Sequence, residues 1–390
     1  MKHTLLISNL ILMLLTSTAV NATSDTQNTS DTTLASVFSN SIQPQLKKFH
    51  PYIHLNSFTY SEPISIDGML HEWDDDLHSG ELAFTQQRIS VGLSHSSGWS
   101  LGWISRYDYF LEFTEDTALL YHQGENDLPA SRDYHYQLFL RAEHAKSSGP
   151  QIAYQTPLLK FGPEQSHQIK VKIQIARLTS NQLYNGSIWG EAILLENDDI
   201  EAQLNIDYAY HEDSLFDRPL TNTIEGQGLS VDLFADWQFK QWQVSLTLLD
   251  AYYRVKWQDN PFTTAIISTD TRGVDENGFI RYSPILSGLE GNKDFIQKLP
   301  LDLYLNTAYQ WNQHWGSFVN YHHVASTHFY QLGMEYFSLG KASYFLAYQE
   351  PTQALSLGFK YDTFEISLGL DSLSTNNAQT LAIQLIWGLN

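Results

Sequence analysis

The feature that most limits what this chain can fold into is a two-residue alternation of apolar and polar side chains, which recurs from about residue 82 to the C-terminus. Leu229, Val231, Leu233, Ala235, Trp237 and Phe239 alternate with Ser230, Asp232, Phe234, Asp236 and Gln238. Successive side chains of an extended strand point to opposite faces, so such a segment is a strand with one greasy and one mostly polar side. The pattern returns in 169–175, 200–210, 301–311, 355–361 and 364–370. After the N-terminal segment there is no run of 18 apolar residues, which excludes a membrane protein built of helices.

Counting the alternating segments gives about 16 strands, within a range of about 12–16. Among them are 82–94, 99–113, 134–145, 150–161, 168–178, 183–195 and 200–211. Many have the length that a tilted strand needs to cross a bilayer, roughly 9–11 residues. Aromatic residues stand at the ends of the apolar faces: Tyr208, Tyr210, Trp237, Phe239, Trp242, Trp257, Tyr309, Trp311, Tyr361 and Phe364. Amphipathic rings settle at the headgroup level, so two such girdles are expected of a membrane barrel. The connections add a second test, because membrane barrels place short turns at the periplasmic rim and long loops outside. Counting back from the last strand puts 362, 339–340, 312–314, 240–241, 196–199 and 162–167 at the periplasmic rim. The same parity puts 372–379, 350–353, 258–300 and 212–227 outside. One connection, 114–133, breaks the rule by being long on the periplasmic side.

Composition fits this reading. The 390 residues hold 22 Lys+Arg against 43 Asp+Glu, no cysteine, and only 17% charged residues. An acidic chain without a basic footprint is no partner for nucleic acid. The absence of cysteine excludes a disulfide scaffold, a thiolate metal site and a thiol nucleophile. Residues 1–22 have a basic start at Lys2, an apolar run from Leu5 to Leu15 and small residues ending at Ala22, the pattern of a secretory signal. Its removal would leave a formal charge of −22, because it carries one basic and no acidic residue. Residues 23–80 read as a flexible leader and possible lumen plug, polar at first and then rich in turn residues around Asp74, Asp75 and Asp76. Residues 81–390 are expected to be the barrel.

Together these residues resemble a Gram-negative outer-membrane β-barrel. The last segment is the most specific part: Leu381, Ile383, Leu385 and Trp387 alternate and end in an aromatic. In such barrels this strand is the signal that the assembly machinery reads, although here Gly388, Leu389 and Asn390 follow the aromatic. The resemblance implies an all-β, transmembrane, antiparallel up-and-down barrel in the outer membrane. Its implied partners are outer-membrane lipid, lipopolysaccharide and the barrel-assembly machinery. A shorter stretch, Ile66-Asp67-Gly68 with Leu70, Glu72 and Trp73, looks like the opening of an extracellular carbohydrate-binding sandwich, though Asp-Gly also makes an ordinary turn.

The chain offers little catalytic chemistry, and no enzyme and no cofactor are expected. His95, His135, His144, His322, His323 and His328 form no metalloprotease motif, and adjacent His322 and His323 must face opposite sides of a strand. Asp74 to Asp76, and Asp270, Asp275 and Glu276, lack the spacing of a dedicated Ca²⁺ loop, so solvated acidic loops are expected and no metal site. The polar faces are more informative. Lys170, Lys172, Asp232, Asp236, Asp302, Glu335, Lys360 and Glu365 lie opposite the apolar faces and are candidate lumen-lining residues. A charge on the lipid side would cost a few kcal/mol at mid-membrane. These residues would line a solute path or interlock as a polar filling, and 258–300 would constrict or cover the mouth. A channel or transporter for a small solute or hydrophobic compound is the first expectation. A non-conducting structural or assembly barrel is the alternative.

Overall fold

In a computed structural model, residues 48–388 are described, apart from 71–72, 74–75, 132–133, 195–199, 213–223, 270–271, 275–279, 283–284, 339 and 375. The signal segment and the polar start of the leader therefore lie outside the described residues. In chain order the elements are β1 (Phe49–Ser61), α1 (Ile66–Leu70), β2 (Leu82–His95), β3 (Trp99–Phe113), α2 (Glu115–Glu125), β4 (His135–Gln155), β5 (Leu159–Phe161), β6 (His167–Leu194), β7 (Ile200–Tyr210), β8 (Gly226–Phe239) and β9 (Trp242–Ser268). They continue with β10 (Arg272–Val274), β11 (Ile280–Tyr282), β12 (Ile285–Gln297), β13 (Asp302–Gln310), β14 (Trp315–Val324), β15 (Thr327–Phe337), β16 (Ala342–Glu350), β17 (Ala354–Tyr361), β18 (Phe364–Leu370) and β19 (Thr380–Trp387).

Fourteen of these strands close an antiparallel ring, in the order β1, β2, β3, β4, β6, β8, β9 and then β13 through β19. β19 returns to β1, with Trp387 opposite Ile53 and Thr380 opposite Tyr60. Outward positions are apolar and exposed, as along Leu355, Leu357, Leu346 and Leu332. Exposed rings at the short-turn rim include Trp99, Trp242, Trp311, Trp315, Tyr344 and Trp387. No helix among the described residues is long and apolar enough to cross a membrane.

The strand count differs from about 16 for three physical reasons. First, 49–61, expected within the leader, is a wall strand. Its inward face carries Tyr52, His54, Asn56, Phe58 and Tyr60 while its outward face includes Ser57 and Thr59, so hydrophobicity does not alternate cleanly along it. Second, 134–145 with 150–161, and 168–178 with 183–195, are not pairs of strands but the single long strands β4 and β6, of 21 and 28 residues. The polar stretches at 146–150 and 179–182 that look like turns mark the level where each strand leaves the lipid. A β-bulge at this level shifts the β4–β6 register between Lys146 and Ser147. Third, 200–211 is β7, which stands outside the ring between β6 and β9. With β4 and β6 each counted once, the 114–133 connection moves to the long-loop rim, and the parity conflict disappears.

The upper parts of β4, β6 and β9 continue past the ring and, with β7 and β12, form an arm of sheet beyond the long-loop rim. Segment 258–300 is thus chiefly part of this arm; Leu299 alone among its described residues packs against both interior apolar clusters. Tyr208 and Tyr210 are buried within the arm, and Trp257 is fully buried in the interior cluster that includes Ile104, Leu178 and Val255, so these three are not girdle residues. The Ile-Asp-Gly stretch forms α1, where Ser65 Oγ accepts the Gly68 amide at 2.9 Å. It is a rim helix, not the start of a sandwich. α2 is capped by Thr114, whose hydroxyl accepts from the Thr117 amide.

Candidate functional site: the barrel interior

The alternation that turns one face of each strand to lipid turns the other inward, and what that inner face carries changes with height. Near the long-loop rim it is aromatic. Phe58 and Tyr60 from β1, Phe84 from β2, Phe110 from β3 and Phe329 from β15 form one buried cluster with Leu82 and Val324. Their rings meet at centroid distances of 5.2 Å for Phe58–Phe329, 5.3 Å for Phe58–Phe84 and 5.8 Å for Phe84–Phe110. Phe84 is 0% exposed, so no space for water remains beside it.

Four residues further along β2, about 10 Å lower at a usual strand rise and tilt, the interior becomes ionic. Arg88 from β2 and Arg106 from β3 reach across to Asp250 on β9. Arg106 Nη1 and Nη2 donate to Asp250 Oδ1 and Oδ2 at 2.7 Å each, and Arg88 Nη2 donates to Oδ2 at 2.5 Å. Arg106 Nε donates to Asp108 at 2.8 Å, and its guanidinium lies 5.0 Å from the centre of the Tyr253 ring. Asp232 on β8 lies 3.7 Å from Arg88 Nη1 and accepts from Gln174 at 3.2 Å. β4 and β6 intervene between β3 and β8 in the ring, so the contacts of Arg88 and Arg106 with Asp250, and of Arg88 with Asp232, span the interior rather than join neighbouring strands.

A bulge sets this geometry. The β8–β9 register shifts between Val231 and Leu233, leaving Asp250 at φ 55° with its amide donating to Asp232 Oδ1 at 2.8 Å. Asp is among the few residues that tolerate this left-handed conformation, and a bulge re-aims the side chain it carries. Ser230 Oγ donates to Asp250 Oδ1 at 2.9 Å. A carboxylate held by two guanidiniums and a hydroxyl is compensated for its loss of water, which a lone buried charge would not be.

Below this level the interior is polar and wetter. Lys172 Nζ lies 4.8 Å from the centre of the Phe234 ring, and Lys170 is paired in register with Asp236, which is exposed. Level with the bridge, where Asp302 is opposite Leu249, Asp302 is 1% exposed and bonded to His322 Nε2 at 2.8 Å; Tyr304 stacks on His322 at 4.0 Å, and the His322 ring lies 5.6 Å from Phe58 and 5.3 Å from Phe329 of the aromatic cluster. Glu335, Lys360 and Glu365 form a third group, Lys360 Nζ lying 3.6 Å from Glu335 and 4.0 Å from Glu365. Asn320 donates to Gln331 at 2.6 Å, and Gln331 to Ser356 at 3.0 Å, lacing the wall opposite.

The eight candidates named from sequence therefore fall into separate groups, and only Asp232 belongs to the central network. Arg88, Arg106, Asp108 and Asp250 were missed. The first three lie on the polar face of cleanly alternating strands and were open to the same reasoning; Asp250 was not, because the bulge interrupts its parity. Leu381, Ile383, Leu385 and Trp387 all lie on β19, paired with both β18 and β1. His95 Nδ1 lies 2.7 Å from Ser97 Oγ and also accepts the Ser97 amide, which makes it a turn cap at the short-turn rim. Among the described residues no group of three or more His, Asp or Glu is placed to hold a metal ion. Asp74, Asp75, Asp270, Asp275 and Glu276 lie outside the described residues.

No protein-family model matches the chain, and no curated protein matches its sequence. Among solved structures, the deltaS2S3 mutant of the monoaromatic hydrocarbon channel TodX is similar at TM-score 0.41 and 8% identity, covering 87% of this chain and 89% of that one. The toluene transporter TbuX of Ralstonia pickettii is similar at TM-score 0.38 and 10% identity over 88% and 90% of the two chains. The outer-membrane protease OmpT of Escherichia coli is similar at TM-score 0.20 and 7% identity over 87% and 96%. The closed antiparallel ring, its exposed apolar belt, its rim of aromatic rings and its short turns at one end identify the chain as an outer-membrane β-barrel protein of Gram-negative type.

Proposed function

We propose that this barrel admits a small apolar compound at the outer face and passes it toward the periplasm through an interior closed, in the described state, by the Arg88–Arg106–Asp250 bridge. The observation that carries the reading is the cluster of Phe58, Tyr60, Phe84, Phe110 and Phe329 on the inward face of the ring. A water-filled pore has a polar interior; rings facing inward offer dispersion contacts to an apolar guest and cost little to desolvate. Beneath them, the ion bridge would keep the compound's path shut to water and ions until it parts.

The packing also favours a second reading. Phe84 and Arg106 are both buried, at 0% and 2% exposed, as they would be in a non-conducting structural barrel. Uptake of the apolar fluorophore N-phenylnaphthylamine by cells with an intact outer membrane separates the two. Faster uptake with the barrel than without it, slowed by filling the cluster through Val324→Trp, is the expected result. Equal uptake in cells with and without the folded barrel would leave the structural reading standing.

A further inference from the structure

We infer that the outward face of β4, β6, β8 and β9 carries a binding site for the phosphate groups of the outer leaflet's phosphorylated glycolipid. The site is defined by register. Arg177 on β6 is opposite Leu229 on β8, and Leu229 is opposite Arg254 on β9. One step further from the membrane, Thr179 is opposite Gln227, and Gln227 is opposite Lys256. All of these positions share the parity of the lipid-facing side chains. Arg177, Arg254 and Lys256 are exposed. On the adjacent strand, Ser148 pairs with Thr179.

Height places the row at a membrane boundary. Leu229 lies ten residues along β8 from Phe239, which sits at the short-turn rim. At about 3.3 Å per residue and a tilt of about 40°, that is about 25 Å, the height of a barrel's apolar band. Directly below the row the same faces carry Ile173, Ile175 and Tyr252, each 39% exposed or more. The cations therefore stand where acyl chains end and headgroups begin.

Charge supports one occupant. The chain as a whole carries −21, yet three cations stand together here, Arg177 on β6 and Arg254 and Lys256 on β9, on either side of β8. The two arginines contact neutral groups: Arg177 Nη2 reaches Gln227 at 3.5 Å, and the Arg254 guanidinium lies 5.5 Å from the centre of the Tyr252 ring. Lys256 is paired with Asp294 at 3.0 Å, an exposed contact that a phosphate can displace. Guanidinium pairs favour bidentate phosphate contacts, and the apolar belt below suits several acyl chains. Phosphatidylglycerol has one phosphate and two chains; a bisphosphorylated, multiply acylated glycolipid matches both parts of the site.

The test uses the full-length folded barrel in nanodiscs, with binding read by native mass spectrometry. Bisphosphorylated lipid A, its dephosphorylated form, phosphatidylglycerol and inorganic phosphate are the probes. Bisphosphorylated lipid A should bind most tightly, and Arg177→Gln, Arg254→Gln and Lys256→Gln should each weaken it about fivefold, the equivalent of about 1 kcal/mol per surface cation. Heat-modifiable gel migration confirms that each variant is folded. Equal binding of the dephosphorylated form or of phosphatidylglycerol, or undiminished binding by the folded triple variant, would overturn the inference.

Discussion

Arg106 and Asp250 meet across the barrel interior in a two-point ion pair, both contacts at 2.7 Å, with side-chain exposures of 0% and 1%. Removing one partner strands charge in a site that water does not reach. Asp250→Ala leaves two guanidiniums without their shared carboxylate and should destabilise the barrel by about 3–5 kcal/mol. Urea unfolding in lipid vesicles measures this. Arg88→Met and Arg106→Met combined with Asp108→Asn, Asp232→Asn and Asp250→Asn should recover most of the loss, because no buried charge is then left unpaired and Asn tolerates the left-handed backbone at position 250. A combined variant no more stable than Asp250→Ala would contradict that account.

Leu357 lies 63% exposed on β17 with its side chain on the outward face. If that face meets hydrocarbon, Leu357→Arg costs about 2–4 kcal/mol at mid-membrane. Ser356→Asn on the inward face of the same strand should cost less than half as much. The same vesicle unfolding assay compares the two, and equal costs would mean that the facing is wrong.

Gly149 is needed for a close backbone approach. A Cβ built there would lie 1.8 Å from the carbonyl oxygen of Arg177. Gly149→Val should therefore disrupt the β4–β6 ladder and lower the yield of heat-modifiable barrel. Gly124, in α2, has nothing within 4 Å of such an atom, so Gly124→Ala should stabilise the helix by about 0.5–1 kcal/mol. Amide exchange in the helix would report that gain.

Trp387 ends β19 opposite Ile53 of β1, at the seam where the ring closes, and is 42% exposed. Trp387→Ala should slow membrane assembly more than it lowers final stability, if the aromatic at the strand's end is the residue that the assembly machinery reads. Pulse-chase appearance of the heat-modifiable form in cells gives the rate, and an unchanged rate would remove that role from Trp387.

The sequence by itself determined the strand character, the barrel class and, on cleanly alternating strands such as β8, the side that faces outward. Those follow from side chains alternating along an extended backbone, a rule local to each strand. Leu229 to Phe239 shows it directly: the outward positions of β8 could be named without knowing what they pair with. Only the tertiary structure decided which strands close the ring and which stand outside it. β1 joins the wall although its pattern is mixed, because its value lies in its hydrogen bonds to β2 and β19 and in rings facing the interior. β4 and β6 run on through polar stretches because water, not a turn, begins there. Most of all, the meeting of Arg88 and Arg106 with Asp250, 162 and 144 residues away in sequence, depends on ring closure and on a single bulge. No periodicity within one strand can encode a contact that exists only across the barrel.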